Sequence, residues 1–415
     1  MYQYKKLACG AGLVTEHLEH AQAACLGIWV GAGSVCENAD NSGVSHYIEH
    51  MFFKGTSTKD AQQLARAIDD LGASVNAFTG KEATCFHIKA LTETFPQATD
   101  LLLEMLADSV FDSKEMKRER GVILEEMQMY EDTPDDLVVD LITERVLRGT
   151  PLARPVIGTR TSLKKINRDA ILSYIGEYYK TENMVVSCVG RFDEKRLEDQ
   201  LNEALSKFQG KSPEKASYGP TEGRSFVSRA KDIGQSHIAL SVPSIALDSD
   251  EFYAQAIVND VLGGSMSSRL FQNIREKKGL AYSVFSAPVA YSKLGMFFIY
   301  AGVSMGKEKV AIDGIAEELK KLGEEGLKEH ELAVCKQRMK SGYIFGQESM
   351  GRRMNVLGKN RLLLGRNYSD EEVMAEIDSV TIDQVNGICR RLSDIRQYSG
   401  ALISKEKIDM KRLIG

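Results

Sequence analysis

The sequence predicts an α+β fold of two homologous domains, each a mixed sheet packed with helices. Three observations carry this expectation. Strand-like segments and amphipathic helices both occur along the first half, within one stretch of domain size. Residues 210–223 are polar and rich in Gly, Pro and Ser, and they divide the 415 residues into nearly equal halves. The halves also share a register: residues 67–78 line up with 274–285, 207 positions on, and in both a charged helix end stops at a glycine, Gly72 or Gly279, and turns into a strand. The expected division is therefore 1–209, a linker at 210–223, and 224–415.

The elements follow in order. Residues 12–15 and 24–30 are apolar and strand-like, and a Gly-rich turn at 31–34 comes next. Residues 60–71 form an amphipathic helix with Leu64, Ala67, Ile68 and Leu71 at helical spacing, ended by Gly72. Residues 74–90 alternate and are rich in Val, Phe, Thr and Ile, a strand pair turning around Thr79-Gly80-Lys81. Residues 94–110 and 113–131 are long helices, 169–179 is another, and 184–190 is a strand. The second half carries a long helix pair of its own.

Between the Gly-rich turn and residue 60 lies His46-Tyr47-Ile48-Glu49-His50. On a helix, residues four apart stand one above the other, so His46 and His50 share a face, with Glu49 beside them. Two imidazoles, a carboxylate ligand and an open position make a hydrolytic zinc site. The order H-x-x-E-H is the inverted zinc motif. Ile48, Met51 and Phe52 give this helix an apolar face, so its polar residues are buried and need partners. In the shared register His46, Glu49 and His50 correspond to Tyr253, Ala256 and Ile257, so the second half lacks the metal residues.

A third ligand must come from elsewhere. The acidic helix around 115–127 offers Glu119 and Glu126, seven apart and on one face, while Glu125 points away.

Composition excludes several classes. Hydrophobic content of 43% with 27% charged residues is that of a globular protein. A net charge of −5 without a basic block gives no nucleic-acid signal. No apolar run approaches the length of a membrane span. Residues 1–9 lack the apolar core of a secretory signal, so Leu7-Ala8-Cys9-Gly10 is not expected to be a lipoprotein cleavage site. The seven cysteines are scattered with no C-x-x-C, which suits reduced thiols in a cytoplasmic protein. His87 and His237 lie in strand-like segments and are expected to be structural; His17, His20 and His330 are expected to be solvated.

Several motifs in order carry a family resemblance over essentially the whole chain. His46 to Thr56, Gly72 to Thr79, the acidic helix and Leu270 to Val284 resemble the M16 metallopeptidases, the pitrilysin and insulin-degrading-enzyme clan. The similarity is greatest to the short two-domain branch that contains the mitochondrial processing peptidase beta subunit. The resemblance implies a duplicated α/β roll and one Zn²⁺ per chain, held by His46, His50 and Glu126. It implies Glu49 as general base towards a zinc-held water, and Glu119 as the carboxylate that orients a ligand histidine. Asn76, Ala77 and Phe78 become an exposed strand edge that pairs with a peptide backbone. Arg275 and Tyr282 become donors to the substrate carbonyl or its oxyanion. By the same resemblance two chains enclose a chamber, a homodimer with Arg275 and Tyr282 acting in trans on peptides or unfolded segments.

One departure is visible: residues 286–295 are not glycine-rich, unlike the loop of the non-catalytic mitochondrial subunit. General oligopeptide turnover is favoured over presequence processing. The rival readings are a non-catalytic assembly subunit of the same fold, and a heteromeric enzyme whose partner supplies the Arg–Tyr function.

Overall fold

Residues 2–214, 218–219 and 223–415 are described from a computed structural model. The expected linker lies in part outside them, at 215–217 and 220–222. The strands β1 (Tyr2–Lys6), β2 (Gly12–His17), β3 (Ala23–Val30), β4 (Ser74–Thr79), β5 (Thr84–Leu91) and β6 (Met184–Gly190) form one sheet in the order β1-β2-β6-β3-β5-β4. Only β2 and β6 run parallel. The second sheet comprises β7 (Phe226–Ala230), β8 (Ser236–Ser244), β9 (Ala281–Ala290), β10 (Gly295–Val303) and β11 (Ser399–Ser404), in the order β7-β11-β8-β10-β9. Its one parallel pair is β7 with β11.

The series β2-β6-β3-β5-β4 and β7-β11-β8-β10-β9 match in chain order, position and direction, so the duplication is topological. β4 starts at Ser74 and β9 at Ala281, which keeps the register seen in the sequence. Gly72 and Gly279 both have φ +58. That left-handed conformation ends a helix, and glycine enters it without steric cost. β1 lies outside the expected segments and extends the first sheet at its edge.

The helices α1 (Val44–Met51), α2 (Ala61–Asp70), α3 (Phe95–Ala107) and α4 (Ser113–Glu131) fall in or near the expected segments. Asp60 and Gln63 form a capping box that starts α2. Tyr47, Met51 and Leu102 pack in one core with Leu26, Ile28 and Phe86 of the sheet.

The spatial grouping departs from a cut at 210–223. One compact unit contains Met1–Met127, Arg154–Ser217 and Ile344–Ser369; the other contains Gln128–Ala153, Tyr218–Tyr343 and Asp370–Gly415. Thus α5 (Pro134–Val146), from the first half, packs on β8 and β11. The helix Met350–Leu364, from the second half, packs on β3 and β6. The physical reason is that each sheet has two apolar faces. In the first sheet Val14, Cys25, Trp29 and Val185 form a core apart from the main one, and Met354 and Leu357 close it.

His17 is exposed, as expected, and it also has surface partners. Its Nε2 lies 3.0 Å from Glu194 Oε2 and its ring stacks on Phe192, because the end of β2 meets the start of the helix Glu194–Leu205. His237 is structural, its Nδ1 lying 2.9 Å from the Tyr300 hydroxyl. All seven cysteines are free thiols and six are buried. Among the described residues no helix is long and apolar enough to cross a membrane.

The helix over β3 and β6 is tightly seated. A Cβ at Gly358 would stand 2.1 Å from Trp29 Nε1, whose bond to Ser187 Oγ is 3.1 Å. Ala favours a helix by about 1 kcal/mol over Gly, but overpacking a buried contact costs about 1–3 kcal/mol. Gly358→Ala should therefore lower the free energy of unfolding, read by urea denaturation through the fluorescence of Trp29, the single tryptophan.

Candidate metal centre

α1 presents His46, Glu49 and His50. It starts at Gly43, whose φ is +91 and where a Cβ would stand 2.7 Å from the Ile157 carbonyl oxygen. With no side chain there to cap the helix, Glu37 does so from the preceding turn. Its buried carboxylate accepts the N–H groups of Gly43 (2.7 Å) and Ser45 (2.9 Å). A negative charge at a helix N-terminus is also favourable to the helix dipole.

α4 lies across from α1, anchored by buried Met116, Ile123 and Met127. Glu126 Oε2 is 3.3 Å from His50 Nε2 and 3.7 Å from His46 Nε2. One ligand atom from each of these three residues lies within 4.8 Å of the others. Glu125 is exposed on another side of the helix. Glu119 is buried one turn-pair earlier: its Oε1 accepts from His50 Nδ1 at 2.9 Å, and its Oε2 pairs with Lys54 Nζ at 2.7 Å. With the His50 proton on Nδ1, Nε2 turns its lone pair towards Glu126.

The donor set fits a zinc ion. Glu126 Oε2 and Glu49 Oε2 are buried and have no hydrogen-bond partner. An unsatisfied buried polar atom costs about 1–3 kcal/mol. A divalent cation between two imidazole nitrogens and a carboxylate would offset that at Glu126, and two nitrogens with one carboxylate oxygen is a zinc ligand set.

The electrostatics agree. Burial, then the neighbouring His50, pushes His46 down to about 4, against the pull of Glu126, so it is neutral and able to ligate. For His50, burial acts downward, but Glu126 and Glu119 outweigh it and the net shift is upward. The adjacent His50 holds Glu126 below the usual carboxylate range. Burial raises Glu49, with Thr79 and His50 opposing.

β4 is the edge strand next to α1. Asn76 and Phe78 are exposed on it and Ala77 is buried. Ala77 N–H donates to Asn76 Oδ1 at 2.8 Å. In the second unit, Arg275 sits on a π-helical turn, Phe271–Lys277. Its guanidinium is 4.5 Å from the Phe271 ring centroid and 5.5 Å from that of Tyr282. Tyr282 is a bulged residue: Ser283 pairs with Gly302 and Ala281 with Val303, which leaves Tyr282 unpaired and 76% exposed. π-turns and bulges re-aim side chains and recur at functional sites.

Sequence reasoning missed Glu37 and Lys54 as parts of this centre. Lys54 was findable, because it lies four residues after His50 on a helical path. Glu37 carries no periodic signal, since it acts from a turn.

The family description "Insulinase (Peptidase family M16)" matches residues 13–160, and "Peptidase M16 inactive domain" matches residues 165–339. The chain belongs to the M16 peptidase family. It is 37% identical to a Bacillus subtilis protein named "Uncharacterized zinc protease YmxG", over 96% of this chain and 98% of that one. A Streptomyces coelicolor protein, also named an uncharacterized zinc protease, is 35% identical over 92% of this chain and 85% of its own. Among solved structures, a protease from Helicobacter pylori superposes with a TM-score of 0.90 at 19% identity, covering 97% of this chain and 99% of that one. A Pseudomonas fluorescens structure described as a peptidase M16 inactive domain has the same TM-score and identity, covering 98% and 99%. These structural likenesses show the fold.

Zinc binding should depend on both imidazoles. His50→Ala should abolish tight zinc uptake measured by calorimetry, whereas Glu49→Gln should retain it. In the metal-free protein His50 keeps its proton to a pH above the ordinary 6.5, and zinc must displace that proton. Zinc affinity should be full above that raised value and fall by about tenfold per pH unit below it. His46 should add a second proton only near pH 4.

Proposed function

We propose that this protein is a zinc-dependent endopeptidase that hydrolyses peptides or unfolded polypeptide segments, with one Zn²⁺ per chain. The observation that carries this is the convergence of His46, His50 and Glu126 on one point, with Glu49 on the next position of the same helix. Zinc, when bound, acidifies water towards a pKa of about 7 and polarises a carbonyl. Glu49 is placed to take the proton of the attacking water and return it to the leaving amine. Its raised pKa brings it nearer the operating pH, which suits a base that must also act as an acid. Glu119 holds His50 in the tautomer that ligates through Nε2.

Substrate adds to the free edge of β4 at Asn76, Ala77 and Phe78. Backbone pairing there is tolerant of side chains, which suits a broad peptide substrate. Addition has to displace the Asn76 side chain from the Ala77 N–H. Arg275 and Tyr282 donate to the substrate carbonyl or its oxyanion, and they do so in trans, across a homodimer that encloses a chamber. The working compartment is the cytoplasm, a reading supported by seven cysteines outside any disulfide. The complete ligand set and base weigh against a non-catalytic assembly role.

Hydrolysis of an unstructured peptide pool should fall about 10²–10⁴-fold in Glu49→Gln at unchanged zinc content. If both proteins cut equally, Glu49 is not the base. If neither cuts, the assembly-subunit reading replaces this one. Mixing Glu49→Gln with Arg275→Ala tests the trans arrangement. Each alone should be inactive, and the mixture should regain activity, because one copy keeps an intact zinc helix and the other an intact Arg275. A mixture as inactive as its components would place Arg275 in cis.

A further inference from the structure

We propose that Lys54 is a positioning residue of the metal centre, acting on His50 through Glu119. The inference rests on the zinc site above and assigns a role to a side chain outside the ligand set. After α1 the chain continues one helical turn. Phe52 N–H bonds to the Ile48 carbonyl at 3.0 Å and Lys54 N–H to that of Met51 at 3.0 Å. That turn carries Lys54 to the position four after His50, hence to the same face. Both side chains then reach the same carboxylate on α4.

The geometry is a relay. Glu119 is 4% exposed and has two oxygens to satisfy. Oε1 takes the His50 Nδ1 proton at 2.9 Å, and Oε2 takes Lys54 Nζ at 2.7 Å. A carboxylate held at one oxygen can swing about its last torsion, and held at both it cannot. Lys54 therefore fixes the plane of Glu119, Glu119 fixes the ring of His50, and the ring aims Nε2 at Glu126 Oε2, 3.3 Å away. Without Lys54, the buried Glu119 carboxylate loses its lysine partner and Oε2 is left bare. A paired, hydrogen-bonded carboxylate is tolerated in such a place, and an uncompensated one is not. Gly55, at φ +120, ends the turn directly after Lys54 and lets the chain leave without displacing it.

The test measures zinc affinity by chelator competition in wild type, Lys54→Met, Lys54→Arg, Glu119→Gln and the double variant Lys54→Met/Glu119→Gln. Far-UV circular dichroism and metal-free melting confirm that each is folded. Lys54→Met should weaken zinc binding by about tenfold, in the range of outer hydrogen-bond partners of metal ligands. Lys54→Arg should restore most of it. The double variant should bind no worse than Glu119→Gln alone, because the effect runs through that carboxylate. Unchanged affinity in Lys54→Met would overturn the proposal, as would a double variant whose losses add. Wild type that fails to take up zinc would overturn the metal site itself, which separates the two failures.

Discussion

The packing of α1 against α4 is the constraint on which the rest of the site depends. Neither helix holds a metal alone. α1 contributes two imidazoles, one of which, His50, is held at its other nitrogen by Glu119, and α4 contributes carboxylates at a seven-residue interval. Glu126 faces both Nε2 atoms and Glu119 sits behind His50. The apolar residues between them, Ile123 above all, hold the helix against the core, with Glu119 buried and Glu126 half-buried.

Duplication gives this scaffold a second copy with different chemistry. The helix Phe252–Leu262 follows β8 as α1 follows β3, yet the residues in register with the ligands are Tyr253, Ala256 and Ile257, the last fully buried. In one copy that helix carries His46, Glu49 and His50, and in the other it is core. Both keep an edge strand after the glycine at φ +58, β4 in one and β9 in the other. In β9 a bulge turns Tyr282 outward beside Arg275, so the second copy carries hydrogen-bond donors where it lacks ligands. Each sheet also receives a helix from the opposite half, α5 or Met350–Leu364, which covers the face its own half leaves bare.

Much of this was legible in the residues themselves. His46, Glu49 and His50 lie within five positions, and helical geometry alone puts them together. The glycine-ended repeat at 72 and 279 is also local, because a left-handed helix terminus is a property of a few dihedrals. Glu126 was harder. Spacing alone offered Glu119 and Glu126, and the family resemblance implied Glu126 as ligand and Glu119 as the orienting carboxylate; the approach of α4 to α1 puts Glu126 opposite both Nε2 atoms and Glu119 at Nδ1.

The sequence by itself determined the inverted zinc motif, the two-domain α+β class and the strands that bound the site, because each is written in periodicity and short-range stereochemistry. Only the tertiary structure decided which histidine Glu119 meets, that Glu37 caps α1 and Lys54 grips Glu119, that the halves exchange helices, and that Tyr282 stands on a bulge. These are choices between elements far apart in the chain. Burial and packing make them, and no local pattern encodes which distant face will be covered.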